Sequence, residues 1–72
     1  MRGNFFYKRL GSRISETRKQ QSLSQEQLAF LSALDRTYLA RIEEGKANPS
    51  IKVLNKIARR LNVRVHQLLQ GV

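Results

Sequence analysis

Few side chains in this sequence have the types and the spacing that catalysis requires. His66 is the only histidine, and no plausible nucleophile lies beside it. The four glycines are isolated from one another, so the chain has no glycine-rich loop that could hold a phosphate group. Glu43 and Glu44 are adjacent on an expected helix, and their carboxylates therefore diverge instead of sharing a metal ion. The sequence predicts a protein that is not an enzyme and has no catalytic residue, metal site or cofactor.

Basic side chains are much more numerous, and the chemistry they offer is anion binding. Fourteen Lys and Arg residues against five Asp and Glu give a net charge of +9 in 72 residues, which is more than solubility requires. Residues 1–20 hold six basic residues and one acidic residue, residues 21–44 hold two and four, and residues 45–72 hold six and none. Two basic segments around a slightly acidic middle indicate a polyanionic partner and a separate role for the middle segment.

Length and composition restrict the remaining possibilities. A chain of 72 residues is long enough for one domain, which we place at residues 1–72, and without cysteine its core depends on apolar packing alone. No apolar run approaches the roughly 18 residues that a membrane span needs. The N-terminal segment lacks the apolar region and the cleavage site of a signal peptide. We therefore expect a cytoplasmic protein with no membrane partner.

Apolar spacing and capping residues predict five helices and no strand, which is an all-α fold. Tyr7, Leu10 and Ile14 form one apolar stripe on a first helix that runs to about Gln20. The next three helices have favourable N-cap residues, which are Ser24 (in a capping box with Gln27), Asp35 and Ser50. Gly45 is the expected left-handed C-cap of the third helix. The inward-facing positions of the fourth and fifth helices are Val53, Leu54, Ile57, Ala58, Leu61, Val65, Leu68 and Leu69.

The second and third helices, within about residues 24–44, are joined only by the short segment 32–34. A helix-turn-helix needs a small residue where its helices cross, an apolar residue in the turn and two apolar residues on its second helix. The residues found at these positions are Ala29, Leu34, Leu39 and Ile42. The spacing therefore predicts a helix-turn-helix.

The sequence SQEQLAFLSALDRTYLARIEEGKANPS, residues 24–50, resembles the helix-turn-helix of the Cro/C1-type (XRE) family of prokaryotic and phage DNA-binding proteins. The matching characteristic positions are Leu28-Ala29, Ile42-Glu43, Gly45 and Pro49-Ser50. Residues 35–38 are most similar to the controller proteins of restriction-modification systems. The resemblance implies a compact five-helix, lambda-repressor-like domain. It also implies a transcriptional regulator that binds a palindromic operator in double-stranded DNA as a homodimer, and we expect no small-molecule ligand.

With the third helix in the major groove, four of its residues become candidates for base contacts, namely Arg36, Thr37, Tyr38 and Arg41. An arginine can donate two hydrogen bonds to guanine, and a threonine offers a hydroxyl or a methyl group for thymine. For each arginine the alternative is a solvated charge. For Tyr38 the alternative is packing between helices.

Contacts with DNA phosphates are expected at helix N-termini and flexible cations. Gln25 matches the family's glutamine that contacts the DNA backbone. The full set of candidates is Ser24, Gln25, Lys46, Ser50 and Ile51. Other basic residues are expected only to add to the positive field, as for Arg13, Lys19, Lys52 and Lys56.

The resemblance also implies an ion pair and a dimer interface. Arg18 and Glu43 match an arginine and a glutamate that pair between the first and third helices in several repressors, the alternative being two independent surface charges. The dimer contacts of the family usually lie near the C-terminus, where the candidates are Val63, Val65, Leu68 and Leu69, with Phe5 or Phe6 as possible additions. The alternative is that these residues only close the monomer core.

One position departs from the family, because Ala33 stands where the turn usually has glycine. Either Ala33 adopts positive φ at a cost of roughly 1 kcal/mol, or the turn is rearranged.

Two other functions stay open. A small basic RNA-binding protein ranks second, since the aromatic residues occur mostly at helix-packing positions instead of forming a stacking platform. A membrane-surface protein ranks third, because the apolar stripes are needed for the core.

Overall fold

Five helices account for most of the chain, as the spacing of apolar residues predicts. The computed structural model describes residues 2–72, with side chains from Phe5 onward. The helices are α1 (Arg2–Gln20), α2 (Gln25–Leu31), α3 (Arg36–Glu43), α4 (Ile51–Arg60) and α5 (Val65–Leu69), and residues 2–72 contain no strand. The fold is therefore all-α. None of the helices in this part of the chain is both long enough and apolar enough to cross a bilayer.

The three predicted N-caps are confirmed. Ser24 Oγ accepts from the Gln27 amide at 3.0 Å, while Gln27 Oε1 accepts from the Ser24 amide at 2.7 Å, which completes the capping box of α2. Asp35 Oδ2 accepts from the amide three residues ahead at 3.3 Å, and Ser50 Oγ does the same at 3.1 Å. Each cap satisfies an amide that the helix itself leaves unpaired, so the starts of α2, α3 and α4 are defined locally.

One cluster of buried apolar side chains contains residues from all five helices, and it orients α3. Its members are Leu10, Ile14, Leu28, Ala29, Leu39, Ile42, Leu54, Ile57, Ala58, Leu61 and Leu68. In α3 the buried residues are Leu39 and Ile42, at i and i+3, so they lie on one face of the helix. The opposite face of α3 is therefore turned to solvent.

The turn between α2 and α3 bends at a left-handed residue, because Ala33 has φ of +56°. The Leu34 amide donates to the Ala29 carbonyl at 2.8 Å, and the Ala33 amide donates to the Phe30 carbonyl at 3.1 Å. Of the two alternatives left open by the sequence, the structure has the one in which Ala33 holds positive φ, and this residue is not helical. Gly45, after α3, has φ of +77°, as expected for a C-cap glycine.

Candidate nucleic-acid interface

The solvent-facing side of α3 carries most of the residues predicted to contact bases. Arg36, Thr37 and Arg41 are exposed. Thr37 and Arg41 are four residues apart and therefore neighbours on the helix surface. Tyr38 is half-buried and packs against the core, so at least part of its ring serves helix packing. The structure thus brings three polar side chains to an open helix face and draws the fourth partly inward.

Arg41 also supports the loop that follows α3. Its Nη2 donates to the Lys46 carbonyl at 3.0 Å, and the residue as a whole is exposed. The Lys46 ammonium lies 3.6 Å from a carboxylate oxygen of Glu44, and both side chains are largely exposed. Such an exposed pair contributes little to stability, so Lys46 can exchange this partner for a phosphate at small cost.

The remaining candidates for phosphate contacts lie at the N-termini of α2 and α4, two helices that pack against each other. The hydroxyl oxygens of Ser24 and Ser50 accept capping hydrogen bonds, and each hydroxyl still has its own hydrogen to donate. Gln25 and Ile51 are the first residues of their helices, where backbone amides have no acceptor within the helix. Both helix starts therefore present donors that suit an anion.

Arg18 and Glu43 form a nearly buried ion pair, so they are not two independent surface charges. Arg18 Nε donates to Glu43 Oε2 at 2.8 Å and Arg18 Nη2 donates to Oε1 at 2.9 Å, and the side chains are only 10% and 5% exposed. The hydrogen bonds that Arg18 donates to Glu43 raise the pKa of Arg18, an effect that desolvation opposes and the charge of Glu43 reinforces. The pair joins α1 to the C-terminal end of α3.

The expectation for the dimer interface is wrong at one residue. Leu68 is 1% exposed and belongs to the monomer core, because α5 packs this side chain against α1 and α4. It has no surface left for a partner. Val63, Val65 and Leu69 are half-buried against the same core and keep part of their surface open. Phe5 is 65% exposed.

Arg13 has a specific role that sequence analysis missed. Its Nη1 donates to the Gln67 carbonyl at 2.8 Å and its Nη2 donates to the Gln70 carbonyl at 2.7 Å, so one guanidinium holds the end of α5. Arg9 reaches the carbonyl of Val72 at 3.3 Å. The acceptors are backbone groups more than fifty residues away, and no feature of the local sequence signals such a contact.

The described residues bring no three His, Asp or Glu side chains together in a group that could hold a metal ion. The arrangement offers hydrogen-bond donors and positive charge, and the polar cluster around Arg18 is nearly buried.

Comparison with known proteins agrees with the helix-turn-helix seen in the structure. The profile of the family HTH_3, described as helix-turn-helix, matches residues 14–68. The chain belongs to this family. This HTH_3 chain is similar to the restriction-modification controller protein C.AhdI from Aeromonas hydrophila, with 40% identity and a TM-score of 0.84 over 86% of this chain and 94% of that one.

Two further relatives are known regulators. One is SinR, the master regulator for biofilm formation, whose crystal structure contains DNA. It is 39% identical to this HTH_3 chain with a TM-score of 0.82, and the match covers 85% of this chain and 98% of SinR in that structure. The immunity repressor protein of Bacillus phage phi105 is 40% identical over 60 residues, which are 83% of this chain and 42% of the repressor. The chain thus spans less than half of the length of the phage repressor.

Proposed function

We propose that this protein is a transcriptional regulator that binds specific sequences in double-stranded DNA. The observation that carries the proposal is the solvent-facing side of α3, where Arg36, Thr37 and Arg41 are exposed while Leu39 and Ile42 are buried in the core. A helix of this kind, at the end of a helix-turn-helix, fits the major groove. The similarity to SinR, whose structure contains DNA, supports the same function.

In the proposed complex, α3 lies in the major groove and distinguishes base pairs through its exposed side chains. Arg36 and Arg41 donate to guanine O6 and N7, and Thr37 contacts the neighbouring base edge. Tyr38 takes part through the rim of its partly buried ring. Arg41 is held by the Lys46 carbonyl, which reduces the freedom that it would lose on binding.

Phosphate contacts on both sides of α3 hold the helix in register. Ser24 and Gln25 act from the start of α2, Ser50 and Ile51 from the start of α4, and Lys46 from the loop between α3 and α4. These contacts carry no sequence information, but they supply much of the affinity through counterion release. The net charge of +9 adds a long-range attraction to the duplex.

The regulator acts as a homodimer on a palindromic operator, because one helix-turn-helix contacts too few base pairs for useful specificity. The symmetric interface is formed by Val63, Val65 and Leu69, the candidates that keep open surface. The similarity to C.AhdI over nearly the whole of that chain supports control of a restriction-modification system as the biological context.

Selection of bound sequences from a random duplex library tests DNA binding, symmetry and specificity together. We expect enrichment of one palindromic sequence with two half-sites. A mobility-shift comparison with structured RNA at the same salt concentration is the control. Equal or tighter binding to RNA, with no enriched duplex, would contradict the proposal and favour a small RNA-binding protein.

A further inference from the structure

The ion pair between Arg18 and Glu43 extends to Gln25, the first residue of α2. Glu43 Oε1 accepts from Gln25 Nε2 at 3.0 Å as well as from Arg18 Nη2 at 2.9 Å. We propose that Glu43 is a positioning residue for DNA binding, whose carboxylate orients the Gln25 carboxamide toward a DNA phosphate. The inference rests on the proposed function, in which Gln25 contacts the DNA backbone. It goes further by giving the buried ion pair a part in that contact.

The guanidinium of Arg18 contacts both Glu43 and the backbone just before Gln25. Arg18 binds both carboxylate oxygens of Glu43, and its Nη1 donates to the Leu23 carbonyl at 2.9 Å. Leu23 lies only two residues before Gln25. Arg18 therefore holds the carboxylate on α3 and the backbone that leads into α2, so the separation between Glu43 and Gln25 is set by three packed helices.

The chemistry of the two groups determines which end of the carboxamide faces inward. A carboxylate only accepts hydrogen bonds, so it selects the NH₂ end of Gln25 and turns away the carbonyl oxygen. Nε2 has two hydrogens, and one of them suffices for Glu43. The second remains available for a phosphate oxygen, whereas a reversed carboxamide would place its carbonyl oxygen against the Glu43 carboxylate, where two acceptors would face each other without a donor. The half-burial of Gln25 further limits the alternative orientations.

The test replaces the ion pair without changing the net charge. In the variant Arg18→Met/Glu43→Leu, apolar side chains fill the nearly buried site, an exchange that folded proteins often tolerate. The Gln25 side chain then has no carboxylate at position 43 to accept its hydrogen bond. We expect operator affinity to fall about tenfold, the typical effect of losing a hydrogen bond with a charged partner. Gln25→Ala should cost about tenfold in the native protein and less than about twofold in the double variant, because the contact is already lost there.

The control is Glu16→Leu/Lys19→Met, which also leaves the net charge unchanged and alters two exposed residues of α1. In this background Gln25→Ala should keep its full effect. Equal effects of Gln25→Ala in the native protein and in Arg18→Met/Glu43→Leu would overturn the inference while leaving DNA binding intact. Failure of the native protein to bind any duplex would overturn the proposed function as well.

A measurement on the native protein decides the question if the double variant does not fold. The ¹⁵N relaxation of the Gln25 side-chain NH₂ should show a rigid group, in contrast to the exposed Gln20. A Gln25 carboxamide as mobile as that of Gln20 would contradict the inference.

Discussion

Gly11 on α1 lies directly against the backbone carbonyl of Ile42 on α3. A Cβ atom at position 11 would collide with this oxygen and would lie 2.5 Å from the Glu43 carbonyl oxygen. These are backbone atoms of the helix that presents the proposed base contacts, and they cannot rotate away. The absence of a side chain at Gly11 therefore sets how closely α1 approaches α3.

Gly11→Ala should lower the free energy of unfolding by about 1 to 3 kcal/mol, because the methyl group separates two packed helices. Helix propensity alone would favour alanine by about 1 kcal/mol, so the sign of the effect is informative. Urea denaturation measures it, with Ser12→Ala on the exposed side of α1 as the control. A gain in stability at position 11 would mean that the helices are farther apart than this contact requires.

Ala33→Gly should stabilise the fold by a few tenths to about 1 kcal/mol, because glycine adopts positive φ without steric strain. The gain is reduced by the greater freedom of glycine in the unfolded chain. The matched control is Ala40→Gly within α3, which should instead cost about 0.5 to 1 kcal/mol. Thermal unfolding of both variants distinguishes the two cases, and destabilisation by Ala33→Gly would be inconsistent with a left-handed residue.

Ser32→Ala should also stabilise the protein, by about 1 kcal/mol. Ser32 is 3% exposed, and its hydroxyl has no hydrogen-bond partner among the described residues. A buried polar group without a partner costs about 1 to 3 kcal/mol, which alanine avoids at nearly the same volume. Ser24→Ala is the contrasting variant, since loss of this N-cap should cost about 1 kcal/mol. Calorimetry that shows equal losses for both serines would indicate that Ser32 is hydrogen-bonded.

Arg13→Gln should loosen α5 and destabilise the protein by about 1 kcal/mol, because two charge-assisted hydrogen bonds to backbone carbonyls are lost. Amide hydrogen exchange should accelerate in α5 while α2 and α3 stay protected. Lys19→Gln removes the same charge from the exposed surface of α1 and controls for net charge. Unchanged exchange in α5 would show that apolar packing, without Arg13, is enough to hold this helix.

Arg36→Ala and Lys46→Ala should weaken DNA binding in different ways. Loss of a guanine contact at Arg36 should cost about 1 to 3 kcal/mol on the operator and flatten the preference at one symmetric pair of positions. Loss of Lys46 should weaken specific and nonspecific binding alike and make the salt slope shallower by about one unit per contact, or two per dimer. Both variants are titrated on operator and scrambled duplex across a salt series. An equal loss on both duplexes for Arg36→Ala would remove α3 from base recognition.

The sequence by itself determined the helices and their limits. The caps at Ser24, Asp35 and Ser50 depend on amides three residues ahead, and the left-handed C-cap at Gly45 depends on one residue. Such interactions are local, so residue type and spacing specify them. The exposed face of α3 could also be predicted from the sequence, because the apolar residues Leu39 and Ile42 mark the buried face.

Only the tertiary structure decided the contacts between residues distant in the chain. Leu68 and Leu69 are neighbours of the same type, yet only Leu68 is fully buried, because the packing of α5 on α1 and α4 selects the side that is covered. The carbonyl groups bound by Arg13 and the carboxylate bound by Gln25 likewise become partners only after folding. Their sequence separations of 18 to 57 residues leave no local pattern, because folding alone brings these groups within hydrogen-bond distance.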